Sequence, residues 1–278
     1  MKSGKYHNQL IQPYQQSIFS NNLKKMKTAL VTGTTSGFGR SIAIRLAKLG
    51  YNLLITGRRN DRLEKLKEQL QADYSIQVMS LCFDIRDNEA CTKALQNLPE
   101  LFNSIDLLIN NAGLAAGASS FQESDLADYD QMIDTNVKGL LYVTKLIVPG
   151  MIQRNSGHII NISSIAGIEV YPSGSVYCAS KHAVNAITKG LRLDLIKHGI
   201  KVSSISPGMA ETEFSIVRNH GDEEKAKAVY AGLVPLNAED IADTVEFIIT
   251  RPNHVSINDI QLNPVQQANT YVSYRKNE

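Results

Sequence analysis

Thr32-Gly33-Thr34-Thr35-Ser36-Gly37-Phe38-Gly39 closes a short apolar run at 27–32 and opens an amphipathic stretch at 40–49 that stops at Gly50. Glycines between a strand and a helix let the backbone turn tightly and come close to a pyrophosphate. The N–H groups at the helix N-terminus then hold that anion. The spacing is G-x-x-x-G-x-G, not G-x-G-x-x-G, so the strand–loop–helix context carries the reading.

Outward from this loop, strand and helix patterns alternate. Strands are predicted at 52–56, 76–83, 105–109, 157–162, 200–205 and 256–262. Helices are predicted at 61–70, 87–98, 125–148 (ending at Pro149-Gly150) and 175–198. Leu236-Asn237-Ala238-Glu239-Asp240-Ile241 reads as a helix start with Asn237 as N-cap and a Leu236–Ile241 staple. Repeated βα units predict an α/β, single-domain, Rossmann-like doubly wound parallel sheet of about seven strands over residues 26–278, with helices on both faces. Residues 208–235 read as a mobile insert. Residues 1–25 are rich in Asn and Gln, lack Asp and Glu, and read as a disordered N-terminal extension.

Composition narrows the function. Of 278 residues, 43% are hydrophobic and 20% charged, which describes an ordinary globular protein. A net charge of +2 gives no electrostatic case for nucleic acid or a membrane surface. No apolar run approaches the ~20 residues of a membrane span. Cys82, Cys91 and Cys178 form no C-x-x-C pair, which suits a reducing compartment and predicts a cytoplasmic protein. No metal site is expected.

Two further features carry chemistry. Tyr177 and Lys181, four residues apart, share one helix face. A fixed ammonium beside a phenol favours the phenolate, and a cationic nicotinamide would act the same way. Lowering the phenol from ~10 to ~7 takes about 4 kcal/mol. After the second strand stand Gly57-Arg58-Arg59, where a site for NAD would place a carboxylate about 20 residues beyond the glycines. With no carboxylate there to repel a 2′-phosphate and two guanidiniums to receive it, the predicted cofactor is NADP.

In this order, the motifs resemble those of the short-chain dehydrogenase/reductase family over nearly all of the chain after Met26. They are the loop Thr32 to Gly39, Asn110-Asn111-Ala112-Gly113, Asn136, Ser163-Ser164-x-Ala-Gly, Tyr177-x-x-x-Lys181 and Pro207-Gly208. The resemblance implies that Tyr177 is the acid/base and that Ser164 binds the substrate oxygen. It implies that Lys181 holds the ribose and lowers the tyrosine pKa, and that Asn136 anchors a proton-relay water. Gly33, Thr34, Thr35, Ser36, Gly37, Phe38 and Gly39 would cradle the phosphates. Asp84, Ile85, Asn111, Ala112 and Gly113 would line the adenosine side, and Pro207, Gly208 and Thr212 the nicotinamide side. Alternative structural roles are a helix-kink bridge for Asn136, backbone satisfaction for Ser163, packing for Cys178 and an exposed or structural place for His182.

Residues 207–218, Gly221-Asp222, Ile257-Asn258 and Asn263 to Gln266 resemble more closely the bacterial NADP-dependent 3-hydroxy acid (serine-type) dehydrogenase branch. That branch oxidises small 3-hydroxy acids or β-hydroxy amino acids and reduces small semialdehydes in reverse. Such substrates carry a carboxylate, for which Arg218 is the candidate clamp; a surface place or a pair with Asp222 is the alternative. A general ketone or 3-oxoacyl-thioester reductase shares the same motifs, and a non-catalytic NADP-sensing protein is the reading of a different class. The resemblance also implies a homotetramer using the two long helices.

Overall fold

The computed structural model describes residues 26–276; the expectation for residues 1–25 lies outside the described residues. Apolar residues at successive strand positions are what a sheet covered on both faces requires. In β1 (Thr28–Val31), Ala29 and Val31 point into one core layer while Leu30 points into the other. The chain continues through α1 (Gly37–Lys48), β2 (Asn52–Gly57), α2 (Asn60–Asp73), β3 (Val78–Cys82), α3 (Asn88–Leu95) and β4 (Leu107–Asn110). Then come α4 (Leu126–Ile133), α5 (Leu140–Arg154), β5 (Gly157–Ile162), α6 (Ser175–Leu195) and β6 (Ile200–Pro207). Two short helices, α7 (Phe214–Arg218) and α8 (Glu223–Ala228), precede α9 (Ala238–Ile249) and β7 (Asp259–Leu262).

The seven strands form one parallel sheet in the order β3-β2-β1-β4-β5-β6-β7, the doubly wound architecture expected. One buried layer joins Ala29, Val31, Leu53 and Ile55 to α1, α2 and α9 through Leu46, Leu66 and Val245. The other joins Leu30, Leu54, Leu108 and Ile159 to α3 and α5 through Cys91, Val143 and Met151. The sheet is thus held rigid from both sides, and its carboxyl ends are free to carry a site.

Three differences from expectation have local causes. The helix predicted over 125–148 is interrupted by a π-helical turn, Asp134–Gly139, which buries Thr135 and Asn136. It also does not end at Pro149. Loss of one ladder hydrogen bond there is outweighed by burial of Ile147 and Met151 on either side, so α5 runs to Arg154 and closes on Asn155 at φ 48°. The predicted helix 175–198 changes to a 3₁₀ turn at Ile196–His198, closed by Gly199 at φ 65°. Residues 208–235 contain α7 and α8. Their base is fixed where Glu211 N donates to Leu236 O at 2.8 Å and Leu236 N to Met209 O at 2.9 Å. Past β7, the chain turns back onto this insert: Lys276 N donates to Gly232 O at 2.8 Å, and Val234 N to the Gln266 side chain at 2.8 Å.

Asn237 caps α9 as expected. Its Oδ1 accepts from Glu239 N and Asp240 N at 2.8 and 3.2 Å, and Asp240 returns a carboxylate to Asn237 N at 2.8 Å. Because α9 packs along α1, where Arg45 bonds Glu246 at 2.6 Å, the cap holds a core helix. Replacing Asn237 with Ala is expected to lower unfolding free energy by about 1 kcal/mol, read as a lower urea midpoint with an unchanged slope.

Candidate active site

β1 and β4 are neighbours in space, yet their following helices lie on opposite faces of the sheet, so the loops after them part and leave a cleft. Asn111 holds the two lips together. Its side-chain amide donates to Thr32 O at 2.8 Å and Gly33 O at 3.1 Å, while Thr32 Oγ1 accepts from the N–H groups of Asn111 and Ala112 at 3.0 Å each. The cleft measures about 730 Å³ and continues from the glycine loop to the insert.

The glycine loop has the shape a pyrophosphate requires. Gly33 and Gly37 take φ of 72° and 52°, and a Cβ on Gly33 would stand 2.9 Å from Ala112 Cα. Ser36 is the N-cap of α1 without a side-chain bond to the first turn, and Gly33, Thr35, Ser36, Gly37 and Phe38 line the cleft. Two predicted loop residues do not line it. Thr34 is buried with its hydroxyl on Thr56 O at 3.3 Å, and Gly39 allows close packing, since a Cβ there would overlap Gly33 O. Thr34 and Gly39 therefore shape the cradle from beneath.

At the adenosine end the structure brings Arg58, Arg59, Asp84, Ile85, Asn111, Ala112 and Gly113 to the cleft wall, as expected. A carboxylate from elsewhere in the chain also reaches this end of the cleft. Glu213, from the insert, bonds Arg59 at 2.9 Å and Arg62 at 2.6 Å. Arg59 also donates to Thr35 Oγ1 at 2.7 Å and Ser36 Oγ at 3.0 Å. Arg58 is the freer guanidinium, more than half exposed and 3.9 Å from Asp84, whose carboxylate is engaged by Arg86 at 2.7 Å. Although burial pushes it up, the bonds from Arg86 hold the Asp84 carboxyl below its usual range.

Tyr177, Ser164 and Lys181 converge on the middle of the cleft. Ser164 caps the 3₁₀ turn Ile165–Gly167 by accepting from Ala166 N at 3.1 Å, and its Oγ reaches Pro207 O only at 3.5 Å, a weak contact that a ligand can replace. Ser163 instead points inward, with its hydroxyl on Lys181 O. Lys181 is buried, donates to Ile162 O at 3.0 Å and stands 5.9 Å from the Tyr177 ring centroid. Burial lowers its pKa to about 8. The protein surroundings of the phenol act against the expected lowering of its pKa. Burial pushes the Tyr177 phenol well above its ordinary value with help from Tyr171, while Ser164 and the Arg218 cation pull the other way. Desolvation of the phenolate is the larger effect.

Asn136 lies behind the cleft wall. Its carboxamide accepts from Leu114 N at 2.8 Å and donates to Leu114 O at 2.8 Å and to Ser180 Oγ at 3.0 Å. A Cβ on Gly113 would stand 3.1 Å from Asn136 Oδ1 and 3.4 Å from Lys181 Nζ, so Gly113 lies close to both polar groups. Cys178 is fully buried beside Tyr177, as packing predicts, and His182 is exposed with Nδ1 2.9 Å from Cys178 O.

The insert roofs the site. Pro207, Gly208 and Thr212 line the cleft at its base, and Phe214 tilts against Tyr177 with ring centroids 5.7 Å apart. Arg218 lines the far wall, where it donates to Tyr171 Oη at 3.2 Å and Gly117 O at 3.3 Å. Asp222 pairs with Lys225, not with Arg218. Tyr171, Gln267 and Glu213 are the residues that sequence reading missed; they meet the site only through the folded chain and have no spacing signature. No group of three or more His, Cys, Asp or Glu among the described residues is placed to hold a metal, and no described helix is long and apolar enough to cross a membrane.

Among known proteins, the chain is similar to a serine 3-dehydrogenase of Rhizobium radiobacter, with 44% identity over 87% of this chain and 95% of the relative. It is also similar to sulfoacetaldehyde reductase 2 of Chromohalobacter salexigens, with 44% identity over 86% of this chain and 94% of the relative. A solved structure of serine dehydrogenase in its closed form, complexed with NADP+, superposes with a TM-score of 0.83 at 41% identity, covering 90% of this chain and all of that one. The model of the short chain dehydrogenase family matches residues 27–223, across the glycine loop, the serine, the tyrosine and the lysine, and the chain belongs to that family.

Proposed function

We propose that this protein is an NADP-dependent oxidoreductase that interconverts a small 3-hydroxy acid, or a β-hydroxy amino acid of the serine type, and its 3-oxo product. The observation that carries the reading is a single cleft with three chemistries: a phosphate cradle, a Tyr177–Ser164–Lys181 centre in which the tyrosine and lysine are buried, and Arg218 on the far wall with no carboxylate of the described residues paired to it. The relatives named for serine and for sulfoacetaldehyde support it, since both substrates are small and carry an anionic group on the carbon next to the reacting one.

The residues present fit the cofactor. Gly33, Ser36 and Gly37 would receive the pyrophosphate, Arg58 and Arg59 the 2′-phosphate, and Lys181 the ribose, with the bound nicotinamide supplying the hydride acceptor or donor. In the oxidising direction Tyr177 Oη takes the proton from the substrate hydroxyl, and Ser164 Oγ donates a hydrogen bond to the same oxygen. Lys181, kept cationic below its pKa of about 8, favours the phenolate that burial opposes. Asn136 braces the loop at Leu114, and Gly113 beside it lies close to Lys181, the place for a proton relay. Arg218 forks onto the substrate anion, and Tyr171 fixes the angle of its guanidinium. The same clamp would take a sulfonate, so reduction of a small anionic aldehyde is the reverse reaction of the same site.

Assembly as a homotetramer through the long helices is part of the proposal. Leu126 of α4 is 74% exposed and Leu193 of α6 is 77% exposed, apolar side chains that a partner copy would cover. Cytoplasmic residence is proposed with it, on three free cysteines.

The direct test follows NADP reduction by the absorbance of the reduced nicotinamide, with L-serine, L-allo-threonine and 3-hydroxypropionate. Turnover is expected, and Tyr177→Phe should lower kcat by about 10²–10⁴-fold; no turnover with any of the three would reject the substrate class. Arg218→Ala should raise KM roughly 10–100-fold for these anionic substrates and leave neutral alcohols nearly unchanged, whereas equal effects would remove the clamp. The rate of alcohol oxidation should rise with pH, because only the phenolate accepts the proton. Lys181→Met should move that inflection about 1–3 units higher, as expected when a nearby opposite charge is removed; a pH profile unchanged by the substitution would deny Lys181 its electrostatic role.

A further inference from the structure

The cleft also carries an ion-pair cluster away from the reaction centre. Glu213 makes bonds of 2.9 Å to Arg59 and 2.6 Å to Arg62, across 154 and 151 residues of chain. These guanidiniums stand at the start of α2, beside the Thr35 and Ser36 hydroxyls that also receive Arg59. A carboxylate forked between two arginines at the rim of a phosphate cradle occupies the place that a phosphate dianion would take. Burial raises its pKa, but the bonds from Arg59 and Arg62 prevail and hold the carboxyl below its usual range, so Glu213 is anionic at neutral pH.

Glu213 is also mechanically placed. Immediately before it, the insert is anchored by the Met209–Glu211 rung on Leu236. Thr212 packs against the phosphate loop, where a Cβ on Gly37 would stand 3.3 Å from Thr212 Cβ. Immediately after it, Phe214 lies against the Tyr177 ring, and α7 ends in Arg218. The ion pair thus ties the roof of the substrate site to the arginine cluster at the other end of the cleft.

We infer that Glu213 is an internal competitor of the cofactor's 2′-phosphate for Arg59. This rests on the reading that the arginine cluster receives the 2′-phosphate. By linkage, Glu213 held on Arg59 weakens phosphate binding, and a bound phosphate weakens the Glu213–Arg59 pair by the same factor. A cofactor lacking the 2′-phosphate leaves Glu213 in place.

The probes are adenosine 2′-monophosphate and adenosine 5′-monophosphate, titrated calorimetrically into the full chain. Glu213→Gln keeps the side-chain shape and removes the charge. It should bind the 2′-phosphate probe about fivefold tighter or more than the wild type, with 5′-monophosphate affinity unchanged and the gain shrinking as salt is added. Equal or weaker binding of the 2′-phosphate probe by Glu213→Gln overturns the competition. Arg59→Ala separates the two layers: if it loses affinity for the 2′-phosphate probe while Glu213→Gln gains none, only the competition fails. If Arg59→Ala binds as the wild type does, the arginine cluster is not the phosphate site.

Discussion

The structure depends on a stitch of hydrogen bonds where the sheet changes direction. Thr32 and Gly33 leave β1 with carbonyls that no neighbouring strand can satisfy, because the chain is already turning toward α1. A buried carbonyl without a partner costs free energy comparable to a lost hydrogen bond. The Asn111 amide satisfies both, and Thr32 Oγ1 in turn receives two N–H groups from the opposite lip. The cleft therefore has walls that hold their spacing without a ligand, and the glycine loop, Gly113 and the Tyr177 centre are positioned from them.

Behind that stitch the site keeps its ionisable groups dry. Tyr177 and Lys181 are both buried, so each disfavours its own charged form, upward for the phenol and downward for the ammonium. In such surroundings a charge acts strongly on its neighbours, and a cation brought into the cleft changes the phenol more than it would in water. The poise of the centre thus belongs to the filled cleft. Arg218 and Ser164, which already pull the phenol downward, lie on the two sides from which a substrate would be gripped.

Much of this was legible in the chain. The strand 157–162 was read to the residue, and the Asn237 cap follows from one asparagine, an acidic residue three positions on and an apolar run. The glycine loop, Ser164, Tyr177 and Lys181 carry their meaning in short spacings, and short spacings survive folding. Other features do not work that way. The π turn at Asp134–Gly139 arises because Asn136 bonds Leu114, twenty-two residues away, and no periodicity reports it. Pro149 reads as a stop, yet the burial of Met151 carries the helix past it. Glu213 looks like any solvated acid until the fold sets it against Arg59, and Tyr171 gains its partner only when α7 is in place.

The return of the chain end onto the insert has a consequence for biosynthesis. The cleft is lined from Gly33 near one end of the described chain to Gln267 and Thr270 near the other, and Gln267 secures Met209 N at 2.7 Å. A ribosome delivers β1, β2 and β4 long before these residues emerge, so the first half of the sheet waits with one lip of its cleft unopposed. Parallel strands closed by distant segments form slowly and leave apolar edges open while they wait. The pocket is thus finished only once residues 267–270 have emerged and settled against the insert.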